Sequence, residues 1–350
     1  MNKFLQEIEE QPKALADTLR YYIEGHGKIS LSYIVSLWQS GKYEKIIFTG
    51  MGSSYFISYA ATCLLNRRGV TSFVINAGEL LHYQFSLLNS KTLLVCISQS
   101  GESYEIVRIL EKIPRGITVI GISNEAESTL IKKAQASLLC KAGKEEMTST
   151  KTFISTYLVV YLLSLAFDEK VNEQSISEIG DVIKVIQELL DNRNEWLRNA
   201  LDTISHTNFV QLVGRGTVFA SVKQSALMCM EAARNPAAGL LSGEFRHGPF
   251  EMVKEGFRAV VFDPSGNTHY QNISLTKDIL KFGGKVLLIT HQAPSIEHNN
   301  LVSIVIPCNN EELFAIPSIV PMQLIINQWS IEDGNNPGDF MRGAKVTVIE

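Results

Sequence analysis

Ser98-Gln99-Ser100-Gly101-Glu102-Ser103 packs three hydroxyls, a carboxamide and a glycine into six residues. If the stretch opens a helix, unpaired backbone N–H groups and the positive end of the helix dipole point out of it. The short hydroxyls then add donors, and glycine lets the backbone come close. Such a stretch is a phosphate cradle without a lysine. An ordinary serine-rich helix cap has the same residues, so the loop alone leaves both readings open. A second hydroxyl-bearing turn, Gly50-Met51-Gly52-Ser53-Ser54, lies upstream and could converge with it on one ligand.

Candidates for proton transfer lie further along. Gln224, Leu227, Met228 and Glu231 follow helical spacing, so Glu231 shares a face with apolar residues. A carboxylate on a mostly buried face holds its proton more tightly and is a usable base; a helix-end glutamate in solvent is the bland alternative. Ser242-Gly243-Glu244-Phe245-Arg246-His247-Gly248-Pro249 reads as a turn-rich loop, where His247 is less suited to core packing than His82 or His206. His26, His269, His291 and His298 lie in polar stretches and read as surface residues. Lys345, in the tail Arg342-Gly343-Ala344-Lys345-Val346-Thr347, could reach back over a site or simply be solvated.

The elements that must position these groups can be traced in order. The apolar run Leu93–Ile97 predicts a strand ending at Ser98, and Ile106, Val107, Leu110 and Ile113 predict a helix leaving Ser103. Before them come a helix over Phe4–Leu19, broken or restarted at Pro12, a helix over Leu31–Trp38, and a strand over Lys45–Thr49. A helix to about Leu65 and a strand over Phe73–Asn76 follow. Strands over Thr118–Ile122 and Ser137–Cys140 come next, then Thr148-Ser149-Thr150-Lys151, a long apolar helix to Phe167 and a polar helical connector over Val171–Ala200. Strands that alternate with helices predict an α/β fold with a parallel sheet covered on both faces, where ligands bind beyond the carboxyl ends of the strands.

The pattern then restarts. Phe48-Thr49-Gly50-Met51-Gly52-Ser53 matches Leu212-Val213-Gly214-Arg215-Gly216-Thr217 at an offset of 164 residues, and Ser137–Cys140 matches Ser303–Ile306 at an offset of 166. Offsets this similar predict two copies of one α/β unit. The second copy lacks the serine-rich loop. Its counterpart, Phe262-Asp263-Pro264-Ser265-Gly266, has fewer hydroxyls and an added acid.

Composition narrows the partners. The net charge is −4 with no basic cluster, which argues against nucleic acid or an anionic membrane. The longest apolar run, Tyr157–Phe167, is too short to span a bilayer, and Met1–Gln11 carries acids and no export signal. Cys63, Cys96, Cys140, Cys229 and Cys308 are scattered, without a CxxC or a Cys/His pairing. They read as small core residues in a reducing, cytoplasmic compartment, with no structural metal.

Together these residues resemble the sugar isomerase (SIS) family. The resemblance covers almost the whole chain and takes in the isomerase half of glucosamine-6-phosphate synthase and its free-standing relatives, glucosamine-6-phosphate deaminases and fructosamine-6-phosphate deglycases. The matching pieces are "EIEEQP" at 7–12, "GMGSSY", "SQSGES", "TSTKTF", "GRG", "SGEFRHGP" and "GAKVT", in the family's order. The likeness implies two tandem SIS subdomains, each a flavodoxin-like parallel sheet flanked by helices. The expected division is a helical segment over 1–35, subdomains over 36–168 and 206–332, a connector over 169–205 and a tail over 333–350.

The resemblance also implies roles. Ser53, Ser54, Ser98, Gln99, Ser100 and Ser103 would hold a sugar phosphate, and Met147 and Ser149 would contact the sugar chain. Glu231 would move a proton between C1 and C2. His247, supplied across a homodimer interface, would assist ring opening, and Lys345 would sit near the carbonyl carbon. No metal or organic cofactor is implied. Met228 stands where relatives carry a lysine, and Lys345 runs into Val346-Thr347 one residue early. Asn2 stands where a glutaminase nucleophile would follow Met1, so glutamine is not the expected nitrogen source. The implied activity is conversion of an amino-sugar 6-phosphate to a ketose phosphate and ammonia. A fructosamine or glucoselysine 6-phosphate deglycase is the near alternative. A non-catalytic sugar-phosphate sensor is the distant one, disfavoured by the absence of a basic recognition helix before the first strand.

Overall fold

The apolar runs form two five-stranded parallel sheets in the computed structural model, which describes residues 2–342, 344 and 345. The Gly343, Val346 and Thr347 positions of the tail pattern lie outside the described residues. The chain divides into two compact units, Lys13–Ser177 with Met341–Glu350, and Met1–Pro12 with Glu178–Phe340.

At the N-terminus Asn2 caps α1 (Lys3–Glu9) by accepting from the Leu5 N–H. Pro12 starts a second helix rather than breaking the first: it falls in the opening turn of α2 (Gln11–Ile23), where its missing N–H costs nothing. Next come α3 (His26–Gln39), β1 (Lys45–Gly50), α4 (Ser53–Asn66), β2 (Ser72–Asn76), α5 (Ala77–His82), β3 (Thr92–Ile97) and α6 (Tyr104–Lys112). β4 (Thr118–Ser123), α7 (Thr129–Lys133), β5 (Ala136–Leu139) and α8 (Lys151–Phe167) complete the first unit's series. The strand order is β2-β1-β3-β4-β5. Every residue of β3 and β4 is buried, which is why these strands read as unbroken apolar runs. Ile106, Ile109 and Leu110 of α6 close one face of the sheet over Ile47, Leu94 and Cys96. α8 is buried from Lys151 to Leu165 on all sides, in keeping with apolar residues that run all round the helix and only small hydroxyls among them after Lys151.

The predicted connector is two helices, α9 (Glu173–Asp191) and α10 (Arg193–Ile204), parted at Asn192. The second series is β6 (Val210–Gly214), α11 (Phe219–Glu231), β7 (Ala237–Leu241), α12 (Ser242–Arg246), β8 (Arg258–Asp263), α13 (His269–Lys281), β9 (Lys285–Thr290), β10 (Leu301–Val305) and α14 (Ala315–Glu332). Its sheet runs β10-β9-β8-β6-β7, the same topology as the first. Val213, Val261, Leu275, Ile279 and Leu288 build its core with Phe245. β7 escaped the sequence reading because Ala237-Ala238-Gly239 has little strand propensity. The stretch read as a turn-rich loop opens as α12. No described helix is long and apolar enough to cross a membrane.

All five cysteines are free. Burial pushes the thiols of Cys96, Cys140 and Cys229 up to about 12 and that of Cys308 to about 11, so they are packing residues rather than nucleophiles.

Candidate active site

β1 and β3 are neighbours whose onward connections leave for opposite sides of the sheet, so their carboxyl ends flank its switch point. The two serine-bearing turns start there. Gly50 lets them meet: a Cβ on it would lie 2.8 Å from Ser54 Cβ and 2.9 Å from the Ile97 carbonyl oxygen. Ser53 and Ser54 open α4 behind Gly52, with no side chain capping the helix.

The Ser98–Ser103 loop is fixed from within. Ser98 is buried and its Oγ lies 2.9 Å from Ser103 Oγ. The Gly101 N–H donates to Ser98 Oγ at 3.1 Å, and the Glu102 N–H to Ser100 Oγ at 3.2 Å. Gly101 has φ +65°, and a Cβ there would fall 2.1 Å from Ser128 Oγ. Outside the loop, Ser123 Oγ and the Asn124 N–H donate to the Gln99 carbonyl at 3.0 and 3.1 Å. Ser103 is the N-cap residue of α6, yet its hydroxyl does not cap the helix. The first turn of α6 therefore keeps its donors for something else.

A second cluster in the same unit gathers Met147, Ser149 and Lys345 around Glu145, a residue the sequence reading missed. Glu145 is buried and accepts from the Thr150 N–H at 2.9 Å, Thr150 Oγ1 at 3.1 Å, the Thr152 N–H at 3.1 Å, Thr152 Oγ1 and, at 3.3 Å, Ser149 Oγ. It thus satisfies the start of α8. Lys345 Nζ donates to Glu145 Oε2 at 2.6 Å and also to the Met147 carbonyl. Burial pushes the Glu145 carboxyl up, but the charge and hydrogen bond of Lys345, with the hydrogen bonds of the Thr152 side chain and the Thr150 backbone, outweigh it and hold the group below the usual glutamate range. An acid just before a hydroxyl-rich helix start was the available signal.

In the other unit Glu231 is the last residue of α11 and half-buried, one turn beyond the fully buried Met228. His247 follows α12 and is exposed, its N–H donating to the Glu244 carbonyl at 3.0 Å. Neighbouring Arg246 pairs with Asp278 at 2.7 Å. His82 and His206 are exposed as well, so exposure does not set His247 apart from them. His26 and His298 are surface residues as expected, but His269 and His291 are not. Both are half-buried, their rings 4.9 Å apart, and His269 Nδ1 lies 2.9 Å from Oδ2 of the buried Asp263. The acid gained by the second copy is what draws them in.

The profile of one protein family, described as SIS domain, matches residues 41–166 and 203–332, well over half of the chain. The chain is 28% identical over 352 residues to the isomerizing glutamine–fructose-6-phosphate aminotransferase of Pyrococcus horikoshii, covering 99% of this chain and 57% of that protein. It therefore spans a little over half the length of the curated relatives it matches. Among solved structures it is similar to the C-terminal domain of glucosamine-fructose-6-phosphate aminotransferase from Francisella tularensis, with a TM-score of 0.86 at 23% identity, covering 97% of this chain and 98% of that one. It is also similar to glucosamine-6-phosphate deaminase from Thermotoga maritima, with a TM-score of 0.73 at 20% identity over 99% and 100% of the two chains. At these identities the structural likeness is one of fold.

Proposed function

The chain belongs to the SIS domain family, and from that premise we propose that it is a phosphosugar enzyme converting glucosamine 6-phosphate and water to fructose 6-phosphate and ammonia. The observation that carries the reading is the hydroxyl cradle at the first sheet's switch point, with Ser98 and Ser103 linked and the α6 N-terminus left without a side-chain cap. Hydroxyls and N–H dipoles of that kind suit a phosphate ester. The names of the similar proteins, each containing a hexose or hexosamine 6-phosphate, support the same substrate class.

In this reading Ser53, Ser54, Ser98, Gln99, Ser100 and Ser103 anchor the phosphate, and Met147 and Ser149 contact the sugar. Anchoring at C6 supplies binding energy that positions C1 and C2 for reaction. His247 assists ring opening by proton transfer. Glu231 takes the C2 proton and returns it at C1, passing through an enolamine to a ketimine. Water adds to the ketimine carbon and the amine leaves as ammonia. Lys345, paired with Glu145, presents an ammonium rather than a nucleophile near the carbonyl carbon. The active form is a homodimer in which His247 serves the partner's site.

The test is ammonia release from glucosamine 6-phosphate, run beside a fructosamine 6-phosphate and unphosphorylated glucosamine. Rapid release from the first substrate alone is the expected result. Turnover of the fructosamine instead would make the enzyme a deglycase. Binding without turnover of either would make it a sensor, and equal turnover of glucosamine with and without phosphate would remove the cradle from the mechanism.

A further inference from the structure

The two sheets carry opposite chemistry at their carboxyl ends. Where the first has hydroxyls, the second has Asp263, the last residue of β8, and the Glu311 carboxylate lies close to the same loop, 2.8 Å from where a Cβ on Gly266 would stand.

Asp263 is fully buried. Its Oδ2 accepts from Thr290 Oγ1 at 2.8 Å and faces His269 Nδ1 at 2.9 Å, and its Oδ1 accepts from Asn272 Nδ2 at 3.3 Å. Strand register sets this up, because Asp263 pairs with Thr290 across β8 and β9 and so brings His291 alongside. His291 Nδ1 lies 3.5 Å from the Asp263 carbonyl oxygen. One donor atom from each of Asp263, His269 and His291 lies within 4.8 Å of the others.

We propose that Asp263, His269 and His291 form a binding site for a divalent first-row transition metal such as Zn²⁺, Co²⁺ or Ni²⁺. Two imidazoles and one carboxylate are a borderline-soft donor set suited to these ions rather than to Mg²⁺ or Ca²⁺. The 2.9 Å between Asp263 Oδ2 and His269 Nδ1 is close to the roughly 3.0 Å between adjacent ligand atoms of an octahedral ion with bonds of about 2.1 Å, and shorter than the roughly 3.4 Å of a tetrahedral one, so the two groups part slightly to take a four-coordinate ion. An ion there takes the place of the proton the two groups share. Thr290 and Asn272 still donate to the carboxylate when that happens, so the ligand keeps its outer support.

Charge points the same way. Glu145, the buried carboxylate of the other unit, has Lys345 against it. The groups that hold Asp263 bring no permanent positive charge, and a dication supplies it. His269 is 30% exposed, which leaves an entry path. The Gln292 side-chain amide nitrogen lies 3.3 Å from His269 Nε2; with an ion on Nδ1 that ring nitrogen carries the proton, so the amide must turn its oxygen to it to hold the ring from the outer side.

The experiment is calorimetric titration of the metal-stripped full-length protein with Zn²⁺, repeated with Co²⁺ while visible absorption is followed. His291→Gln is the principal variant, because it leaves the Asp263–His269 contact in place; His269→Gln is the second. The expected result is one ion bound per wild-type chain, at least about a hundredfold weaker binding in His291→Gln, and a Zn²⁺-dependent rise in melting temperature confined to the wild type. Circular dichroism of the metal-free variants checks that they fold. Equal Zn²⁺ binding by wild type and both folded variants, or no binding by the wild type at tens of micromolar Zn²⁺, would overturn the site. None of these readouts depends on the enzymatic reaction.

Discussion

Lys345 Nζ sits 2.6 Å from Glu145 Oε2 and ties the C-terminal tail to the start of α8. Two hundred positions separate the partners in sequence. The carboxylate is fully buried and the lysine side chain 19% exposed, so solvent screens the pair little.

Lys345→Ala leaves that buried carboxylate without its countercharge. The expected loss of stability at pH 7 is up to about 3 kcal/mol, limited by the hydrogen bonds that remain on Glu145. The sign with pH follows from the lowered pKa of Glu145. Its stabilising contribution is full above the unfolded glutamate value of about 4.3 and fades as pH falls through the lower folded value. The gap between wild type and variant should therefore be wide at neutral pH and close below about pH 4. Urea unfolding at several pH values measures it, and a gap independent of pH would count against the ion pair.

Gly101→Ala meets two obstacles, the φ of +65° and a contact with Ser128. It should lower the melting temperature and weaken phosphate binding together. The left-handed conformation alone costs about 1–2 kcal/mol. Adding Ser128→Gly removes the contact but not the torsion, so it should restore part of the loss. A Gly101→Ala protein that melts and binds like wild type would show that the loop does not need its present shape.

Ser100→Ala and Ser103→Ala should each weaken sugar-phosphate binding by roughly 1.5–3 kcal/mol, the value of a hydrogen bond to a charged group. Titration with glucosamine 6-phosphate and with glucosamine reads the effect, which should appear only with the ester. Losses of the same size for both sugars would mean that the hydroxyls act elsewhere.

Glu231→Gln keeps helix and size and removes the base. Affinity for the sugar phosphate should stay near normal, with turnover down by at least about a hundredfold and exchange of the C2 proton with deuterated water abolished. Normal turnover would move the base to another residue.

Mixing inactive Glu231→Gln and inactive His247→Ala chains tests the shared site. Mixed dimers should recover part of the activity, because one of their sites receives both functional residues. A fully active monomer, or verified mixed dimers without activity, would assign His247 to its own chain.

What the sequence disclosed follows from how local each feature is. The Ser98–Ser103 loop was legible because strand, loop and helix are consecutive, and the second sheet was legible because its β6 turn repeats that of β1. Glu145 was not, since its meaning depends on a lysine at the far end of the chain. The pairing of His269 with His291 was hidden for a related reason. It depends on the register that sets Asp263 beside Thr290, and neither histidine has a neighbour in sequence that announces it. β7 was missed because alanine and glycine form a strand there only through their place beside β6.

The hydroxyl cradle has a consequence for the medium in which the chain can work. Neither Gly50–Ser54 nor Ser98–Ser103 contains a lysine or an arginine, so in the proposed reading what these two segments offer an anion is fixed dipoles at contact distance. Mobile ions screen charges over a Debye length, which shrinks to about 3 Å at 1 M salt; they do little to a hydrogen bond already made at that range. On the proposed reading, phosphate-ester binding should therefore weaken less with added salt than in a pocket built on lysines.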